Sequence, residues 1–145
     1  MLIFCFAITS PAAEVKGPSE ELIKALIQVE SSGNLKAIGD KHLREKAYGP
    51  LQVRQPVCDD LNRIYGTNYK AEHCLGNLPL SVTIFKKYVT HWGTKKRLGR
   101  EPRDADFARI WNGGPNGWKW SATEKYLAKV ERALGQNKSV YVAKR

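Results

Sequence analysis

Apolar residues recur along most of the chain at the three- and four-residue spacing of helices, with Gly, Pro and Ser between the runs. Leu22, Ile23, Leu26 and Ile27 form the first stripe. Ser19 stands where an N-cap belongs, and Glu20 and Glu21 follow where the helix dipole favours negative charge. Gly33 is placed to end this helix. Residues 34–46 read as a loop, and residues 48–54 as a short strand or extended turn. A second helix is expected over residues 56–65, stopped by Gly66. A third covers residues 80–92, with Pro79 near its start and the stripe Val82, Phe85, Val89 and Trp92. A fourth covers residues 102–111 and ends at Gly113-Gly114-Pro115. Ser121-Ala122-Thr123-Glu124 fits a capping box for the last helix, whose stripe is Tyr126, Leu127, Val130 and Leu134 and which Gly135 would end. The tail, residues 136–145, is expected to be loosely held, with Val140-Tyr141-Val142 as a candidate edge strand. Strand-forming runs are few, so the pattern predicts a mainly α domain with at most a small β element.

One residue breaks the first stripe. Leu22, Leu26 and Glu30 are spaced i, i+4, i+8, so Glu30 continues the apolar face. A carboxyl group there loses water on folding and lies near the negative end of the helix dipole, and both effects raise its pKa. An acid that keeps its proton near neutral pH is suited to general acid catalysis. The competing reading is a helix that ends early and leaves Glu30 in solvent.

Composition sets bounds on these readings. The 145 residues, 42% hydrophobic and 26% charged, suit one globular domain, expected over residues 14–135. The formal charge of +10 favours a polyanionic partner, with nucleic acid, anionic lipid and anionic cell-wall polymers as the candidate classes. Lys95, Lys96, Arg97, Arg100 and Arg103 cluster, but no nucleic-acid motif accompanies them, so the cluster reads as a solvated loop. Residues 2–8 are apolar and Ser10-Pro11-Ala12-Ala13 supplies small residues, so residues 1–13 resemble the remnant of an export signal. That run is far below the ~20 residues of a membrane span, and no stable membrane insertion is expected. Of the three cysteines, Cys5 falls in the leader, leaving Cys58 and Cys74 as a disulfide candidate or two separate buried thiols. His42, His73 and His91 lack zinc-type spacing, so neither metal nor cofactor is expected.

Four short motifs narrow the chemistry. Val29-Glu30-Ser31-Ser32-Gly33-Asn34 resembles the Glu-Ser motif of soluble lytic transglycosylases, which share glycoside hydrolase family 23 with goose-type lysozymes. Tyr48-Gly49-Pro50-Leu51-Gln52 is similar to that family's Gly-Leu-Met-Gln motif, and Ile110-Trp111-Asn112-Gly113-Gly114-Pro115 to its Tyr-Asn-Ala-Gly motif. Tyr126 resembles the tyrosine of the closing motif. The four occur in the family's order. Pro50-Leu51, Trp111 and Gly113 depart from its usual residues, and residues 35–46 are richer in charge than in many relatives.

The resemblance implies a lysozyme-like fold with a glycan cleft and Glu30 as catalytic acid. It also implies that Gln52, Asn112 and Tyr126 line the site, while Ser31 supports the local turn. Tyr48 is left with two roles, stacking on a sugar or packing. Trp111, Trp118 and Trp120 likewise suit either a sugar surface or a small core cluster. The implied partner is the glycan strand of peptidoglycan, met outside the cytoplasm by a monomer. In the transglycosylase mechanism one Glu serves as acid and then as base. Inverting hydrolysis needs a second carboxylate, for which Asp40 is the candidate and Glu45 a weaker one. A non-catalytic wall-binding protein is the rival from another class.

Overall fold

The computed structural model describes residues 17–142, with side chains through residue 136. The expected leader, residues 1–13 with Cys5, lies outside the described residues.

Helix α1 spans Glu20–Ser31. The Ser19 side chain caps it by accepting the Leu22 amide at 3.0 Å. Ser19 also donates its amide and its hydroxyl to Asp104, tying the start of α1 to the start of a later helix. Leu22, Ile23, Ala25 and Leu26 are buried, as the stripe requires. Ser32 and Gly33 both turn left-handed, so the helix stops one residue before the expected glycine.

A three-stranded antiparallel sheet follows, of strands β1 (Ile38–Gly39), β2 (Ala47–Tyr48) and β3 (Val53–Arg54), in that order. Residues 48–54 are therefore two strands joined by a turn rather than one extended piece, and the expected loop contains β1. Two-residue strands are too short to show alternation in sequence.

Helix α2 (Gln55–Tyr65) ends at left-handed Gly66, and α3 (Leu78–Trp92) begins at Asn77, whose side chain accepts the Leu80 amide. A 3₁₀ turn, Ala71–Cys74, lies between them. Short helix α4 (Lys95–Leu98) holds part of the basic cluster. The cluster is partly structural: Arg97 bonds the Trp92 carbonyl and the Asn116 side chain, and Arg100 grips Asp106. Helix α5 spans Asp104–Gly113.

Helix α6 spans Glu124–Val142, which corrects the reading of the C-terminal end. Gly135 lies inside the helix and Val140-Tyr141-Val142 is helical rather than an edge strand. Gly66 and Gly99 end helices by adopting positive φ, and Gly135 does not. A glycine within a helix costs only about 1 kcal/mol, too little to stop it alone. The capping box is also replaced. Ser121–Thr123 form a 3₁₀ turn, and buried Thr123 accepts Arg109 Nε while facing the Gly117 carbonyl at 2.8 Å.

The core joins all the helices except α4 and part of the sheet, with Leu26, Leu51, Phe85, Phe107, Ile110 and Val130 at its centre. Cys58 and Cys74 are buried within it as free thiols, not as the expected disulfide. Burial pushes the Cys58 thiol up to about 12 and raises that of Cys74, so both stay protonated and pack as small apolar groups. Among the described residues, no helix is long and apolar enough to cross a membrane.

Candidate functional site

Glu30 sits in the last turn of α1, where the helix leaves the core. It is half-buried beside a cleft of about 350 Å³ that opens between α1, the sheet and α5. Asp40, Gln52, Arg54, Trp111 and Asn112 line the same cleft, with Gly39, Ala47 and Val57 filling its walls. Of the residues named from sequence, Glu30, Asp40, Gln52 and Asn112 are brought together here. Tyr126 joins them through its hydroxyl, which donates to Glu30 Oε1 at 2.5 Å. The two are 96 residues apart in sequence and meet where α1 and α6 pack together.

Several forces act on the Glu30 carboxyl. Burial raises its pKa and dominates. The Tyr126 hydroxyl and the charges of Arg54 and Lys129 pull it down, and the charge of Asp40 pushes it up. The net result lies above the usual carboxylate range. Tyr126 is raised in turn, by burial and by the charge and hydrogen bond of Glu30, so its hydroxyl remains a donor.

The Glu-Ser turn is locked from below. The Ser31 hydroxyl sits 3.0 Å from the Ile27 carbonyl and 2.9 Å from that of Pro50, joining the end of α1 to the β2–β3 turn. Gln52, at φ 52°, donates from Nε2 to the Gly49 carbonyl at 2.8 Å and the Ala37 carbonyl at 3.3 Å. A Cβ at Gly39 would lie 2.1 Å from Gln52 Oε1, so only glycine lets that amide lie across the strand. Gln52 thus braces the sheet while lining the cleft.

Asp40, at φ 50°, follows β1, and its carboxylate forms an ion pair with Arg54. Arg54 also donates to the Glu45 carbonyl at 2.9 Å. Sequence reasoning missed Arg54. The available signal was its place two residues after Gln52, although Gln52 itself lies outside β3 at a left-handed φ. Glu45 is exposed and does not line this cleft.

Trp111 serves both readings considered for it. It lines the cleft, its indole N–H donates to the Leu51 carbonyl at 3.2 Å, and its ring meets Phe85 and Tyr88 edge-on. Trp118 has a buried indole nitrogen with no hydrogen-bond partner among the described residues, and Trp120 is exposed. Asn112 is exposed at the rim and makes no side-chain hydrogen bond among the described residues. An alanine in place of Gly113 would put its Cβ 2.6 Å from Thr123 Cγ2, which explains glycine at this position of the motif. Tyr48 is not in the cleft. It packs against the core and lines a separate hollow of about 380 Å³ with Arg44, Lys46 and Lys70, because neighbouring strand residues face opposite ways and Ala47 takes the cleft side.

Among the described residues, no group of three or more His, Cys, Asp or Glu is placed to hold a metal.

No protein-family profile matches the sequence, and no curated protein matches it. Solved structures do match. One is a chain in the crystal structure of Aeromonas hydrophila PliI in complex with Meretrix lusoria lysozyme, with TM-score 0.67 and 20% identity over 79% of this chain and 89% of that one. Another is Tapes japonica lysozyme, with TM-score 0.64 and 22% identity over 77% of this chain and 87% of that one. At such identities the likeness is one of fold, and the fold is lysozyme-like.

Proposed function

We propose that this protein cleaves the β-1,4 bond between N-acetylmuramic acid and N-acetylglucosamine in peptidoglycan, with Glu30 as proton donor. The observation that carries this reading is the half-buried Glu30 carboxyl, raised by burial and held by Tyr126, at the edge of a polar cleft. The lysozyme-like fold and the four motifs support it.

Glu30 protonates the glycosidic oxygen as the bond to C1 breaks through an oxocarbenium-like transition state. In the transglycosylase route it then takes the proton of the muramic acid C6 hydroxyl, whose oxygen closes on C1 to give a 1,6-anhydro end. Tyr126 holds the acid in place through both steps, and Gln52 and Asn112 face the sugar. A second reading, inverting hydrolysis, is favoured by Asp40 lying in the same cleft. There Asp40 would take a proton from the attacking water. Against wall binding without turnover stands the placement of Glu30, bonded to Tyr126 at the edge of the cleft. Peptidoglycan lies outside the cytoplasm, which fits the export signal expected over residues 1–13.

A zymogram against purified peptidoglycan is expected to show clearing that Glu30→Gln abolishes, with a loss of at least about 10²-fold. Clearing that survives Glu30→Gln would refute the assignment of the acid. Mass spectrometry of the products then separates anhydro ends from reducing ends.

A further inference from the structure

Arg54 holds a position that neither route above assigns. It lies in β3, and its guanidinium reaches two partners in the loop that joins β1 to β2. Nη1 donates to the carbonyl of Glu45, just before β2. Nη2 meets Oδ2 of Asp40, just after β1. The backbone of Asp40 is fixed by its left-handed φ and by its carbonyl, which accepts the Leu43 amide at 2.8 Å. One planar group thus clamps across the end of the whole sheet, and the carboxylate that hydrolysis would need as base already has a cation on it.

We propose, resting on the glycan-cleavage reading, that Arg54 is a positioning residue that selects the product, because its grip on Asp40 withholds a base from water. After Glu30 has given its proton to the leaving oxygen, C1 of the muramic acid has two oxygen nucleophiles within reach. With Asp40 held, the C6 hydroxyl bonds to C1 and returns its proton to Glu30, leaving an anhydro end. With Asp40 released, water bonds to C1 and its proton passes to the Asp40 carboxylate, leaving a reducing end. Both paths conserve atoms and charge without a further reactant.

The test is the ratio of reducing to anhydro ends in peptidoglycan digested by the full-length protein and its variants. Wild type is expected to give mainly anhydro ends. Arg54→Gln is expected to raise the ratio about tenfold or more, a conservative share of what a general base contributes. Arg54→Lys keeps the charge but cannot bridge both acceptors, so it gives an intermediate ratio. It also carries the test should Arg54→Gln not fold. Adding Asp40→Asn to Arg54→Gln restores the anhydro product. An unchanged ratio in active Arg54 variants, a high ratio that persists in the double variant, or reducing ends as the main wild-type product would each overturn the proposal. A wild type that does not clear peptidoglycan would instead remove the cleavage reading on which it rests.

Discussion

Two acids in this molecule are taken from water and end in opposite states. Glu30, at the cleft, receives one hydrogen bond, from Tyr126, and its pKa is raised. Asp106, at the start of α5, receives two from Arg100 at 2.7 Å and one from the Arg103 amide at 2.9 Å. Burial raises Asp106 too, but the Arg100 bonds and charge, with the Arg103 amide and charge, outweigh it and leave the group lowered. The helix terminus at each site pushes the same way, since Asp106 lies in the first turn of its helix and Glu30 in the last. Desolvation alone therefore does not decide whether an acid keeps its proton. What matters is how many donors the fold supplies after removing water, and the cleft supplies too few.

The strongest way to break the contrast is to neutralise each acid in turn. Glu30→Gln, expected to abolish clearing in the zymogram, is also expected to raise the melting temperature at neutral pH. The sign follows from linkage. A raised acid binds more protons folded than unfolded, so its contribution falls as pH climbs from the unfolded carboxylate value through the folded one. Melting curves from pH 4 to 8 would show the variant gaining on wild type as pH rises. A variant less stable than wild type at pH 7 would contradict the account of Glu30.

Asp106→Ala should do the reverse. It removes the carboxylate that accepts the Arg103 amide, and the loss of such a cap costs about 1–2 kcal/mol. A lowered acid stabilises above its unfolded pKa, and that contribution is lost as pH falls through the folded value. The deficit should be full at pH 7 in urea titrations and shrink towards pH 2. A deficit independent of pH would show that packing, not charge, makes Asp106 matter.

Tyr126→Phe sharpens the comparison with the smallest change. Removing the hydroxyl removes a bond that lowers Glu30, so the acid should titrate higher still. The alkaline limb of the pH–activity profile should move up. The rate at its optimum should drop less than about tenfold, the scale of one neutral hydrogen bond. A limb that moves down would mean the hydroxyl does not favour the ionised form.

Much of the helical frame was legible because it follows periodicity. The i, i+4, i+8 spacing of Leu22, Leu26 and Glu30 identified both the first helix and the acid on its face. The sheet was mostly hidden, since Ile38–Gly39 and Ala47–Tyr48 are too short to alternate. Arg54 was missed for a related reason. Its partners are a carboxylate and a carbonyl in the loop between β1 and β2, and only the pairing of the strands brings them within reach. Tyr48 was placed by motif, but the strand turns it to the other face. Gly135 misled because a helix-ending glycine is recognised by its positive φ, which composition does not carry. Cys58 and Cys74 are buried in the core as thiols, a state that an even count of cysteines does not reveal.

The contact between Glu30 and Tyr126 joins residues 96 positions apart, so Glu30 is translated well before its partner. A growing polypeptide that has left the ribosome only as far as α5 has its acid but not the hydroxyl that steadies it. The carboxyl therefore gains this hydrogen bond only when α6 docks. A cut that frees α6 would take from Glu30 the hydroxyl bonded to it and from the core Val130 and Ala133.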